Sequence, residues 1–449
     1  MTKTSALPPM VSGGDFFIGH TKEMLRDRLP LFQRGYREHG GMFSVRLGLK
    51  KCVVLGAPEY SAFFFAETDK RLSSKEANKW LIPLFGETQF AGTHEKYVNQ
   101  RPLTHQPFKR HKAPVYLRIM QKEIQQWLDQ LSESGEIDLY RELVKVTQNI
   151  SVHALCGERF KEDLGARFWE LFIEVAHGLD LFIPYWLPLP RFRRRNRARR
   201  EMVEILLPLV ADRRQNPDKY DDFIQTIIYT KQVDGNYASD EDVINIIMGL
   251  TFGGYESAAI QGTWTVVKLI QNQWYLEYVL KEISEKVRLR LELGERGVSE
   301  LDHILWAFDE TNRIAALADV LMRMATEDIE LGGYLIPKGS MVINASQHIQ
   351  NLPELFANPH TYDPLRFSPE RAEHKNHLYS ITSFGGGLHK CPGMSFTRRS
   401  ITILVALMLQ QYEWDLITKD PKALLSRGIC KFDEVRVRYK RREQPLCPM

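Results

Sequence analysis

A single cysteine, Cys391, stands in the stretch SITSFGGGLHKCPGMSFTRRS (380–400). A Phe384-Gly385-Gly386-Gly387 run precedes it, and Pro392-Gly393 follows, where an apolar-periodic helix is expected to begin. This layout suits a thiolate ligand to a large flat cofactor. Glycines let backbone approach a ring and turn amide hydrogens toward the sulfur. Those donors, with the positive end of the following helix, favour thiolate over thiol. Pro392 fits a first helical turn. Phe384 can lie against the sulfur and screen it from water, and His389 can reach an anionic edge of the cofactor. The alternative is a buried structural cysteine beside a glycine turn.

Two further constellations carry chemistry. A helix is expected from Ser239, with a capping box to Asp242, to about Gln271, roughly 50 Å at 1.5 Å per residue. Midway lies Gly253-Gly254-Tyr255-Glu256-Ser257. Two interior glycines cost about 1 kcal/mol each relative to alanine and leave a weak point in the helix. Glu256 and Ser257 supply an acid and an alcohol that can relay protons with water; the alternative is a kink with a solvated glutamate. Glu310-Thr311-Asn312-Arg313 places a carboxylate and a guanidinium three residues apart, on one helix face.

The cysteine stretch resembles the haem-binding signature of cytochromes P-450, Phe-x-x-Gly-x-x-x-Cys-x-Gly, with every fixed position matched between Phe384 and Gly393. The resemblance implies haem b with Cys391 as axial thiolate, the arrangement that pushes electron density toward O–O cleavage. Gly253, Gly254 and Glu256 match the family's oxygen-activation motif, with Ser257 where Thr is usual. Glu310 and Arg313 match its E-x-x-R pair. Arg366, in Tyr362-Asp363-Pro364-Leu365-Arg366-Phe367, matches the arginine that closes that pair. By the same resemblance His389, Arg323, Tyr97 and Arg101 hold the haem propionates, Tyr97 replacing the usual Trp. Trp80, Phe85, Phe252, Leu317, Val320 and Leu321 line the pocket for a hydrophobic substrate.

The elements that must position these residues are mostly helical. Helical patterns dominate from about 110 to 320, and another runs over 21–39, with a kink or fresh start at Pro30. Strand patterns occur at 42–56, 327–345 and 428–440. The segment 351–375 reads as an ordered loop. This is a mainly α chain with a small β-rich part, as in the cytochrome P-450 fold, and 1–449 is expected to form a single domain. Sixty basic and 56 acidic residues leave a net charge of +4, a balance that favours neither nucleic acid nor polyanionic substrates. Five scattered cysteines without a CxxC pair indicate a reducing compartment and neither zinc nor an iron–sulfur centre.

No transmembrane segment or signal peptide is expected at the N-terminus, so a cytoplasmic protein is expected. The apolar loop 181–190 and the six arginines within 191–199 form either a peripheral membrane contact at 181–200 or a solvated basic helix start. Lys109, Arg110, His111, Lys112 and Lys390 form either a docking patch for an acidic ferredoxin or flavodoxin or a solvated face.

Short stretches resemble the sterol 14α-demethylase branch: Val11-Ser12-Gly13-Gly14, Phe63-Phe64-Phe65, Pro83-Leu84-Phe85-Gly86, Gly135-Glu136-Ile137-Asp138-Leu139 and Val437-Arg438-Tyr439. Two positions depart from it. Glu256-Ser257 stands where that branch carries His-Thr, and Asn78 where it carries Tyr. The resemblance implies an O2-dependent monooxygenase acting on a terpenoid, sterol or acyl substrate with electrons from a redox partner. The alternatives are sterol 14α-demethylase proper, a haem-thiolate isomerase or dehydratase that needs no reductase, and a ligand-binding haem protein.

Overall fold

The structure is a computed structural model that describes residues 6–88, 91–180, 183–287, 293–426 and 429–447. The chain divides into two compact units, Met1–Lys79 with Glu310–Cys391, and Trp80–Asp309 with Pro392–Met449. Each is assembled from separated pieces of sequence.

The first unit is built on a five-stranded sheet in the order Met42–Leu47, Lys50–Leu55, Met341–Asn344, Leu321–Ala325, Leu72–Ser73. Only the Lys50–Leu55 and Met341–Asn344 pair is parallel. Side chains alternate across a strand, and here both faces are buried. Phe43, Val45, Cys52, Val54 and Ile343 join one core cluster with Leu31 and Phe32. Met42, Val53, Leu55 and Val342 join another with Phe64 and Phe65. The first cluster needs a glycine on the helix Arg28–His39: a Cβ on Gly35 would lie 2.4 Å from the Phe43 ring.

The expected strands at 42–56 are present, as are three short ones within 327–345. The strand Leu321–Ala325 was not expected, because LMRMA lacks the β-branched run that marks strands. Near Pro30 the chain breaks at Asp27, whose carboxylate caps the second helix by accepting from Leu29 N. Pro30 then sits in that helix's first turn, where its missing N–H costs nothing.

The second unit is mainly helical. The helices Ala113–Asp129, Leu139–Cys156, Ser257–Gln271 and Met394–Gln411 pack on one another. A three-stranded antiparallel sheet runs Ser134–Asp138, Arg436–Arg441, Tyr412–Leu416. The strand pattern expected at 428–440 appears as Ile429–Phe432, paired with Ala423–Ser426, and as Arg436–Arg441; residue 428 lies outside the described residues.

The expected helix 239–271 starts as anticipated, with Ser239 Oγ accepting from Asp242 N at 3.1 Å. It is interrupted. One helix spans Asp240–Tyr255 and the next Ser257–Gln271, and Glu256 forms the joint. The Ser257 hydroxyl donates to the Gly253 carbonyl four residues back, a competition with the backbone ladder that bends helices. By length and composition the stretch Asp240–Gln271 is apolar enough to cross a membrane, but 65% of its apolar window is buried inside the protein. The helix after Cys391 begins at Met394 with Gly393 as its cap, so Pro392 precedes the helix instead of opening it.

His348 lies in the first unit, 3% exposed, with its ring 5.0 Å from that of Tyr36. Neither ring nitrogen has a hydrogen-bond partner among the described residues. Burial pushes its pKa down to about 4, so the folded protein resists a proton that the unfolded chain takes up below about pH 6.5. Stability therefore falls as pH drops from about 6.5 toward 4, by about 3 kcal/mol from this group. His348→Phe is expected to flatten that part of the profile, measured as the unfolding midpoint against pH. An unchanged profile would contradict the assignment.

Candidate active site

The Cys391 turn belongs to the first unit. Cys391 is exposed, whereas Cys52 and Cys156 are buried. The turn closes through Cys391 N donating to Phe384 O at 2.9 Å, around a short 3-10 turn at Gly387–His389. Gly385 and Gly387 take φ of +71° and +59°, a region that favours glycine. Gly386 is required for a different reason: a Cβ there would meet the Phe65 ring at 2.9 Å. The turn is thus seated directly on the helix Pro58–Ala66.

The same unit holds a charged network centred on three buried side chains. Glu310 Oε2 accepts from Arg313 Nε at 2.7 Å, and Oε1 accepts from Arg313 Nη2 at 2.8 Å and Arg366 Nε at 3.1 Å. The side chains of Glu310, Arg313 and Arg366 are at most 1% exposed. Glu373, unanticipated from sequence, adds a second carboxylate, 2.7 Å from Arg366 Nη1. The arginines also tie down carbonyls: Arg313 donates to Gln350 O and Pro359 O, and Arg366 to Ala357 O and Thr361 O. These bonds help to fix the 351–375 loop, which also carries its own 3-10 turns Pro364–Phe367 and Glu373–Lys375.

His389 and Arg323 meet a partner the sequence did not reveal. His389 Nε2 lies 2.5 Å from Asp69 Oδ2. Asp69 takes φ +62° and also accepts from Ser74 N. Burial alone would raise the Asp69 pKa. The hydrogen bond and charge of His389, the Ser74 amide and the charge of Arg323 outweigh it and hold the carboxyl below its usual range. Arg323 is 7% exposed, over the Phe64 ring at 5.3 Å, and donates to Met322 O. No residue spacing links position 69 to 389, so only the fold shows this cluster.

In the second unit Tyr97 and Arg101 lie one turn apart on the helix His94–His105. Arg101 Nε is buried with no hydrogen-bond partner among the described residues. An N–H of that kind suits an anionic oxygen. Within the first unit, the thiol in a glycine turn with the cationic His389 and Arg323 fits haem and its propionates. Glu256 is 7% exposed, and Ser257 is half-buried.

The residues expected to line the pocket fall in both units. Phe85 and Phe252 meet edge to face at 5.4 Å in the second, where Trp80 is half-buried on the turn Lys79–Leu81. Leu317, Val320 and Leu321 lie half-buried in the first, on the segment entering the strand Leu321–Ala325. Asn78 donates to Ser74 O at 3.0 Å, so its amide is engaged by its own helix.

The basic stretches are less uniform than their sequence. Arg110 pairs with Glu295, which also takes Arg399, and Lys112 pairs with Asp221. The run 191–199 is not simply a solvated helix start. It lies on the helix Pro190–Gln215, where Arg195 is 2% exposed and donates to Gly178 O and Tyr185 O. Of the preceding loop, 181–182 lie outside the described residues, while Trp186 is 69% exposed.

Comparison with known proteins gives the same picture. The sequence matches the family described as Cytochrome P450 over residues 11–432. Similar proteins include a sterol 14-demethylase of Arabidopsis thaliana, 28% identical over 98% of this chain and 93% of that one. A sterol 14alpha-demethylase of Mycolicibacterium vanbaalenii is 29% identical over 91% of each. Among solved structures, the retinoic acid bound cyanobacterial CYP120A1 superposes with a TM-score of 0.86 at 22% identity, covering 98% of this chain and 100% of that one. The heme domain of cytochrome P450DA does so with a TM-score of 0.87 at 18% identity, covering 98% and 99%.

Removing the shared carboxylate should be costly. Glu310→Ala leaves two buried guanidinium groups without their common acceptor and is expected to destabilise the protein by about 3–5 kcal/mol. Arg371→Ala removes pairs to Asp363 and Glu373 in which the arginine side chain is 38% exposed and should cost at most about 1 kcal/mol. Denaturant unfolding of the two variants checks the contrast; equal losses would contradict it.

Proposed function

The chain belongs to the cytochrome P450 family, a family of haem-thiolate monooxygenases, and from that premise we propose that it oxidises a hydrophobic small molecule of terpenoid, sterol or acyl type. The observation that carries the reading is Cys391 itself, an exposed cysteine in a glycine turn seated on a packed helix and backed by a buried ion network. Haem bound through a cysteine thiolate supplies the oxygen activation, because the sulfur pushes electron density toward O–O cleavage.

The chain's own residues bind, orient and deliver protons. Cys391 is the ligand, with Phe384 beside it. His389, Arg323, Tyr97 and Arg101 hold the propionates, and Asp69 fixes the imidazole of His389. Glu256 and Ser257 carry protons toward the reacting oxygen. Glu256 sits at a helix joint, where no i→i+4 ladder is continuous, and Ser257 donates to Gly253 O. A hydroxyl that can exchange that carbonyl for water is suited to a relay. Trp80, Phe85, Phe252, Leu317, Val320 and Leu321 provide an apolar lining. Electrons come from a redox partner, as in the family at large. A ferredoxin or flavodoxin is the partner class that the basic residues Lys109, Arg110, His111 and Lys112, and separately Lys390, would suit, although Arg110 and Lys112 already pair with carboxylates. We place the enzyme in the cytoplasm, as one functional domain.

The similarity to sterol 14-demethylases favours a sterol within the apolar class. Glu256-Ser257 and Asn78 favour a different oxidation on a related skeleton. An optical titration of the ferric protein with a 14α-methyl sterol, beside terpenes and fatty acids, tests this. A saturable response to the sterol supports the sterol reading; a response only to another ligand moves the substrate class, and none to any apolar ligand overturns the proposal.

Glu256→Gln is expected to lower product formed per electron consumed by roughly 10²-fold, the scale of a lost proton-transfer group, with haem content unchanged. Unimpaired coupling would remove Glu256 from the relay. Turnover without an external electron donor would favour an isomerase or dehydratase instead.

A further inference from the structure

Gln350 is fully buried, and its polar atoms join the ion network to the cysteine turn. Its Oε1 accepts two backbone amides, from Thr382 N at 2.9 Å and Ser383 N at 3.0 Å. Its Nε2 donates to Arg313 O at 3.1 Å and reaches Asn312 O at 3.4 Å. Its own carbonyl accepts from Arg313 Nη1 at 2.8 Å, and its N–H donates to Ser346 O at 3.0 Å. Thr382 and Ser383 immediately precede Phe384, whose carbonyl closes the turn by accepting from Cys391 N. Ser380 Oγ and N hydrogen-bond to His377 and Ile381 packs on the apolar cluster of Ile349, Leu352, Leu355 and Phe356, so Gln350 supplies a polar tie from this entry to the Glu310 network beside an apolar one.

We propose that Gln350 is a positioning residue for the Cys391 ligand. It clamps the entry to the turn so that the sulfur and the amides around it keep one geometry. The inference rests on Cys391 being the axial ligand. An amide side chain is required because the position must accept from one side and donate to the other. Leucine does neither and would leave two buried amides without an acceptor, a state that folded proteins avoid. Glutamate keeps the acceptor for Thr382 and Ser383, favoured by the nearby Arg313 charge, and loses only the donor side. A looser turn lets the sulfur take up a proton or yield its place, and both replace thiolate ligation with a weaker kind.

The test compares Gln350→Leu, Gln350→Glu and, as a control, His348→Phe, a buried neighbour that makes no bond to the turn. Two properties are read on the haem-loaded protein: hydrogen exchange of the peptide spanning 380–386, and the absorption of the ferrous carbon monoxide complex, which separates thiolate from neutral ligation. Gln350→Leu is expected to speed exchange at Thr382 and Ser383 by roughly tenfold or more and to reduce the thiolate-type fraction. Gln350→Glu should keep both near the parent values even if its unfolding midpoint falls, and His348→Phe should leave both unchanged. The proposal is overturned if Gln350→Leu keeps parent exchange and a full thiolate-type signature. It is equally overturned if His348→Phe shifts both as much, or if Gln350→Glu loses the signature while still folded. Should Gln350→Leu not fold, Gln350→Glu decides. A parent protein without any thiolate-type signature would instead defeat the Cys391 assignment, and the exchange readout would still report on Gln350.

Discussion

One carboxylate holding two arginines, all three out of water, is the constraint on which the ligand turn depends. Glu310 is 0% exposed and accepts from Arg313 and Arg366 as well as from the Asp363 amide. Burying such charges is unfavourable unless every donor finds an acceptor. The remaining guanidinium N–H groups therefore have to be met by Glu373 and by carbonyls of the 350–361 segment. That requirement ties a long loop, which also has its own 3-10 turns and buries Leu352, Leu355 and Phe356, to the Glu310 centre. A buried ion pair is by itself weak evidence for net stability, even where removing one partner is costly.

The second constraint is steric. The Cys391 turn can press on Phe65 only because Gly386 has no side chain, and it can reverse direction only because Gly385 and Gly387 accept positive φ. Asp69 adds an electrostatic condition: its buried charge is held by His389, the Ser74 amide and Arg323 together. The ligand turn is thus defined three times over, by ions behind it, by a helix beneath it and by a carboxylate beside it. Such redundancy is expected where a reacting group must be held to within a fraction of an ångström.

Much of this was legible in the sequence. Contiguous signatures carried the cysteine turn, the Glu310–Arg313 pair, the Ser239 cap and the strands at 42–56, because each is set by neighbours in the chain. The strand Leu321–Ala325 escaped because MRM carries no β-branched residue, and it is held in the sheet by its partner Met341–Asn344. Gln350, Glu373 and Asp69 escaped for a different reason. Each acts through a contact to a residue distant in sequence or across a loop, and a lone glutamine or aspartate has no pattern of its own. The joint at Glu256 falls within the glycine weak point legible in the sequence, and the Ser257–Gly253 bond beside it is seen only in the structure.

Everything proposed for oxygen chemistry hangs on Cys391 ligating the haem iron as thiolate. The most direct measurement is the absorption spectrum of the ferrous carbon monoxide complex of the parent protein beside Cys391→Ala, each with its haem content determined. A thiolate-type spectrum in the parent that is lost in Cys391→Ala, with haem still bound, is the predicted result. Persistence of the thiolate-type spectrum in Cys391→Ala would contradict the account, because another residue would then be the ligand.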